Sequence, residues 1–158
     1  NCATSLFVSL ISISLYISIR FDKKYALFAL LALFHDLLIV FGIFSWLGII
    51  LSIEVNSLFA VSLLTIAGYS VNDTVVIFDR IRENLKESPD NYNKTIQTSV
   101  NESFRRTIFT SFTTLIPLLT LIFFGSYSLL WFSVSLSLGI LIGSYSSILL
   151  APSFLIKD

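Results

Sequence analysis

Asp73 is the side chain with the clearest chemical potential, because it is the only ionised residue between Leu58 and Phe78, a mostly apolar run long enough to cross a bilayer. A carboxylate at the centre of such a helix costs roughly 2.5–3.5 kcal/mol on insertion scales, so its presence argues for a role. The chemistry open to it is reversible proton binding. Asp73 lies seven positions before Arg80, which places it about 10 Å from the basic end of its helix. Burial in hydrocarbon and a nearby guanidinium act on a carboxyl group in opposite senses, so such a group can change protonation as its partner moves. Arg106, where a later apolar stretch begins, is the best candidate partner, and Pro117 further along gives that helix a point of flexure. The alternative for Arg106 is a snorkelling anchor at the membrane surface, the role also expected of Arg105.

Other polar residues at membrane depth recur in rows. Ser62, Thr65, Tyr69 and Asp73 are spaced three or four apart, flanked by Ser70 and Asn72, while Arg106, Thr110, Thr113, Pro117 and Thr120 keep the same spacing. Two such stripes can face each other, sharing water and hydrogen bonds away from lipid, and so could line a proton path. The competing expectation is that each Ser or Thr bonds back to its own helix carbonyls. His35 and Asp36 form a second buried polar pair, about 18 Å along their helix from Lys24. Adjacent residues point about 100° apart on a helix, so the two are expected to meet different neighbours, as proton carriers or in a structural hydrogen bond. One His and one Cys give no cluster for a metal, and Cys2 alone excludes an internal disulfide.

Positioning these groups falls to apolar helices. Hydrophobic residues make up 55% of the chain and charged ones 13%, and the mean hydropathy is +0.87, far from the range of soluble domains. Residues 3–19, 25–46, 58–78, 107–124 and 129–150 each approach the ~20 residues a spanning helix needs. The expected fold is therefore all-α, a polytopic transmembrane bundle with five spans. Arg20, Lys23 and Lys24 lie in the first connection, Arg80, Arg82, Lys86, Lys94, Arg105 and Arg106 in or beside the third, and Lys157 in the tail; the second and fourth have no Lys or Arg. Basic loops stay cytoplasmic, which predicts the N-terminus outside and the C-terminus inside. Trp46, Tyr127 and Trp131 then fall together at the outer interface, where amphipathic rings settle.

The polar segment from Asp79 to Arg105 is punctuated by Ser88, Pro89 and Asp90, a turn and helix-start signal. Beyond it Tyr92, Ile96, Val100 and Phe104 recur every fourth residue, which predicts an amphipathic helix over residues 91–105, on the inner membrane surface or against the base of the bundle. Ser135, Gly139, Gly143 and Ser147 form a small-residue row suited to close helix contact, within the bundle or across an interface. A net charge of zero argues against a nucleic-acid partner. No phosphate-binding glycine loop or nucleophile triad is present, so the chain is not expected to be a hydrolase. It starts without a Met or a charged flank and reads as part of a longer protein.

The stretch from Gly68 to Asn84, GYSVNDTVVIFDRIREN, closely resembles the signature of the SecF subunits of the SecD/SecF protein-export family. Phe34, His35 and Asp36 look like that family's FHD element, and Arg106-Thr107 within FRRTIFTSFTTL resembles its segment at the start of the next helix. The resemblance implies the last five of six spans of a SecF subunit, in the wider resistance-nodulation-division superfamily. It further implies work with SecD, the Sec channel and its motor ATPase on unfolded secretory polypeptides, driven by the proton-motive force, with protons as the coupling ion and no other cofactor. Asp73 then corresponds to the proton-relay carboxylate and Arg106 to its paired arginine; His35, Asp36, Tyr69, Asn72, Thr110 and Thr113 are accessory polar candidates. A bacterial inner membrane is implied, or a plastid thylakoid or envelope, since richness in Phe, Ile, Ser and Asn suggests an AT-rich genome. The rival readings are a proton-coupled exporter of small molecules or lipids in the same superfamily, and a scaffold that conducts no protons.

Overall fold

The computed structural model describes residues 2–52, 57–87 and 91–156. Its long helices are α1 (Cys2–Arg20), α2 (Lys23–Leu51), α3 (Ser57–Glu87), α4 (Tyr92–Phe124) and α5 (Tyr127–Tyr145). A π-helical turn over Ser146–Leu150 and a short α6 (Ala151–Ser153) continue α5. The architecture is an all-α polytopic bundle. By length and hydropathy alone, four helical stretches can cross a membrane: Lys23–Leu51, Ser57–Glu87, Tyr92–Phe124 and Tyr127–Ser153. The fifth, Thr4–Arg20, is a shorter apolar helix, about 26 Å at 1.5 Å per residue. Lys157 and the Ser88-Pro89-Asp90 turn signal lie outside the described residues.

Residues 92–105 and 107–124 belong to one uninterrupted helix, α4. The amphipathic segment is therefore the first half of that helix, packed against the bundle. Ile96 is buried with Phe78 and Ile81 of α3, and Tyr92 and Val100 pack against the same cluster, which accounts for the four-residue spacing. Phe104, the last of that row, is 49% exposed. Phe21, Tyr25 and Phe78 meet edge-on or tilted at this end, with ring centroids 5.5–6.5 Å apart.

The helix ends have local causes. α4 stops at Gly125, whose N–H bonds the Leu121 carbonyl at 2.9 Å; a Cβ there would sit 2.2 Å from that carbonyl oxygen, so only glycine fits. The π turn precedes Pro152, which has no N–H to give the Ile148 carbonyl. The chain accommodates this by widening, and the Ala151 N–H reaches back five residues to Ser146.

α3 stands at the centre, in contact with α1, α2, α4 and α5. Against α5 it packs in parallel along a regular seam. Ser135 Oγ donates to Ser62 Oγ at 2.7 Å, a Cβ on Gly139 would lie 2.3 Å from Ile66, and a Cβ on Gly143 would lie 3.3 Å from Ser70 Cβ. Ser147 Oγ and Thr74 Oγ1 close the seam at 2.9 Å. The small-residue row of α5 is thus spent inside the bundle, against a matching row on α3 four residues apart. Without a hydrophobic force between helices in lipid, close van der Waals contact and interhelical hydrogen bonds of this kind hold them together.

Candidate functional site

The α3–α5 seam fixes the rotation of α3 and so decides where its other faces point. Asp73 is 4% exposed. Its Oδ2 has no hydrogen-bond partner, and among the described residues no ion pair reaches it within 4 Å. The Arg106 guanidinium acts on it electrostatically from α4. A buried carboxyl group with an orphaned oxygen and a cation in electrostatic reach but not bonded is sensitive to any movement of that cation.

Tyr69, one turn before Asp73, donates from its hydroxyl to Ser111 Oγ of α4 at 3.2 Å. Ser111 in turn meets Ser144 of α5 at 2.5 Å, so three helices share one hydroxyl chain. The two expected stripes do not face each other as drawn from spacing. On α3, Ser62 belongs to the α5 seam and Thr65 is exposed, bonding the Val61 carbonyl at 2.9 Å. On α4, Thr107, Ser111 and Leu118 are buried, while Arg106, Thr113, Pro117 and Thr120 are exposed. Thr110, Thr113 and Thr120 bond carbonyls of their own helix at 2.9–3.1 Å. The inward stripe was present in the sequence one residue over, at Thr107, Ser111 and Thr114.

His35 and Asp36 bond each other, with Nδ1 and Oδ1 at 3.1 Å, contrary to the expectation that neighbours on a helix meet separate partners. Asp36 is wholly buried and accepts from Ser70 Oγ of α3 at 2.5 Å, whereas the His35 side chain is 35% exposed. Ser70 was a flanking residue in the sequence, and only the fold shows that it ties α2 to α3. Asn72 is exposed beside Gly68, in a groove of about 360 Å³ between α1 and α3 that Ser12 and Tyr16 also line.

At the basic end of the bundle α1, α3 and α4 surround an open cavity of about 790 Å³. Val76, one turn beyond Asp73, and Arg106 belong to its lining. Arg20 pairs with Asp79 at 2.6 Å, joining α1 to α3, and Arg80 pairs with Glu102 at 2.7 Å, joining α3 to α4. Asn84 donates to both Glu102 and Ser99 at 3.0 Å. Among the described residues no group of three or more His, Cys, Asp or Glu could hold a metal ion.

A bundle of long apolar helices whose central helix buries an acid defines a polytopic membrane protein. Comparison with known proteins makes this specific. The family model for the C-terminal part of the protein export membrane proteins SecD and SecF matches residues 1–157, and the chain belongs to that family. It is 60% identical over 152 residues to the protein translocase subunit SecF of Prochlorococcus marinus, covering 96% of this chain and 47% of the relative. It is 47% identical to the SecF subunit of Synechocystis, over 94% of this chain and 48% of that protein. The crystal structure of SecDF in its super-membrane-facing form matches with a TM-score of 0.84 and 40% identity, over 92% of this chain and 20% of that one. The chain spans about half the length of the SecF relatives it matches.

Proposed function

We propose that this chain is the membrane-embedded, proton-handling part of a SecF-type translocase subunit, in which Asp73 takes up and releases protons as Arg106 approaches and withdraws. The observation that carries the reading is the buried Asp73 carboxyl, with an unpartnered Oδ2 and a guanidinium in electrostatic reach but unbonded. A charge moved across 100 mV is worth about 2.3 kcal/mol, comparable with the cost of rearranging one polar helix contact. Proton passage is therefore sufficient to bias a bundle between two arrangements.

The working assembly in this reading pairs the chain with SecD beside the Sec channel and its motor ATPase, acting on an unfolded secretory polypeptide. Two observations support the pairing. SecDF of Thermus thermophilus, 40% identical to this chain over 159 residues, carries the matching region within a single longer protein, of which it makes up 21%. The exposed face of α4 also carries Arg106, a charge for which lipid is a poor neighbour, and so suits contact with a second helical body. The basic end faces the cytoplasm, and the membrane is a bacterial inner membrane or a plastid one.

The test is Asp73→Asn in the full-length protein, which keeps the shape and removes the titration. Export into membrane vesicles is expected to lose its stimulation by a proton gradient, while co-purification with SecD is unchanged. Normal gradient stimulation in that variant refutes the relay role. Arg106→Ala is expected to impair export more than Arg105→Ala, since Arg105 is exposed and lies over the Phe109 ring at 5.6 Å. Equal effects of the two would reduce Arg106 to a membrane anchor.

A further inference from the structure

We propose that the cavity at the basic end of the bundle is a binding site for the phosphate group of an anionic phospholipid. Five basic and three acidic side chains line it. The acidic ones are largely committed, because Asp79 pairs with Arg20, and Glu83 and Glu102 both pair with Arg80. Arg82, Lys86 and Arg106 take part in no ion pair within 4 Å among the described residues. The cavity therefore carries an uncompensated positive charge, spread over α3 and α4.

Its place in the fold selects the source of the anion. Arg20 ends the apolar helix α1, and Arg106 stands where α4 enters its apolar half, so the cavity lies at headgroup level. Ile19, beside Arg20, is 85% exposed, and Phe109, one turn beyond Arg106, is 57% exposed. A phosphate held here would be flanked by apolar surface on the bilayer side, which suits acyl chains and offers nothing to a free anion. Basic pockets between membrane helices take anionic headgroups by this combination of charge and depth. Arg106 is shared with the proton-relay reading, but the test substitutes only Arg82 and Lys86, so its outcome is separate from the fate of that reading.

The experiment is native mass spectrometry of the full-length protein, purified with its partner subunit and titrated with phosphatidylglycerol or phosphatidylcholine. Phosphatidylglycerol is expected to bind at least tenfold more tightly. The double variant Arg82→Gln, Lys86→Gln is expected to weaken it at least tenfold and to leave phosphatidylcholine unchanged. Arg105→Gln removes a positive charge at the same depth but outside the cavity, and is expected to leave phosphatidylglycerol binding intact. Should the double variant not assemble, each single substitution carries the same test with a smaller loss. Equal binding of the two lipids, or equal losses in Arg105→Gln and the double variant, would overturn the site. Inorganic phosphate binding as tightly as phosphatidylglycerol would overturn the lipid assignment.

Discussion

Gly139 gives the sharpest structural prediction, because the α3–α5 seam leaves it no room. A Cβ at this position would lie 2.3 Å from both Cδ1 and Cγ1 of Ile66, and 2.8 Å from Cγ2. Carbon atoms rest at about 3.5–4.0 Å, so relief requires a displacement of more than an ångström. Turning Ile66 about χ1 does not supply it, since both branches of the side chain crowd the same point. The helices must part, and the hydroxyl contacts one turn above and two turns below, Ser62–Ser135 at 2.7 Å and Thr74–Ser147 at 2.9 Å, lengthen with them. Overpacking of this kind costs about 1–3 kcal/mol. Alanine returns up to about 1 kcal/mol by its better helix propensity, leaving a net loss of about 1–2 kcal/mol for Gly139→Ala. The assay is equilibrium unfolding of the full-length protein in mixed micelles, followed by the fluorescence of Trp131, which packs in the same cluster as Ile66. Ile66→Ala alone opens a cavity and costs about 2–5 kcal/mol, but combined with Gly139→Ala it removes the clash. The double variant is therefore expected to be more stable than the sum of the single losses predicts, by about 0.5–3 kcal/mol. An unchanged or raised stability of Gly139→Ala, or strict additivity in the double variant, would refute the seam.

Gly125→Ala drives a Cβ against the Leu121 carbonyl, which is backbone and cannot swing aside, and should cost about 1–3 kcal/mol in the same unfolding assay. Ser70→Ala removes the donor to the buried Asp36 and should cost about 0.6–1.7 kcal/mol, the range for interhelical hydrogen bonds in membranes. Thr113→Val should change stability by no more than about 0.5 kcal/mol, because its hydroxyl serves only its own helix and its side chain is exposed. Ser111→Val should cost more than that, since it breaks the link from Tyr69 to Ser144.

The all-α, polytopic class was legible in the sequence because apolar length is a direct physical requirement of spanning a bilayer, whereas the fusion of residues 92–105 with the apolar stretch after them into one helix was not. Asp73 stood out equally in the sequence, as a lone acid in hydrocarbon does whatever surrounds it, and the structure buries it. The orientation of the polar rows was not legible. In a soluble helix the apolar stripe marks the inward face, whereas in a membrane both lipid and protein accept Leu, Ile and Phe, and that contrast vanishes. Thr107, Ser111 and Thr114 lie one residue from the row that spacing picked out, about 100° around α4, and both rows have the same period. Periodicity finds such rows without saying which is buried.

Steric bulk kept its information where polarity lost it. Ser135, Gly139, Gly143 and Ser147 were recognisable as a contact row, and the structure needed only to supply the partner, Ser62, Ile66, Ser70 and Thr74. That seam has a consequence for the acid. Thr74 faces α5 and Ser70 faces Asp36, so Asp73, between them in sequence, turns toward α4, whose Arg106 acts on it electrostatically. The orientation of the buried carboxyl is thus set by the small residues of the α3–α5 seam. A substitution that separates α3 from α5 should therefore disturb Asp73 as well as stability, and under the relay proposed above Gly139→Ala is expected to lose gradient-stimulated export in vesicles even at temperatures where it remains folded.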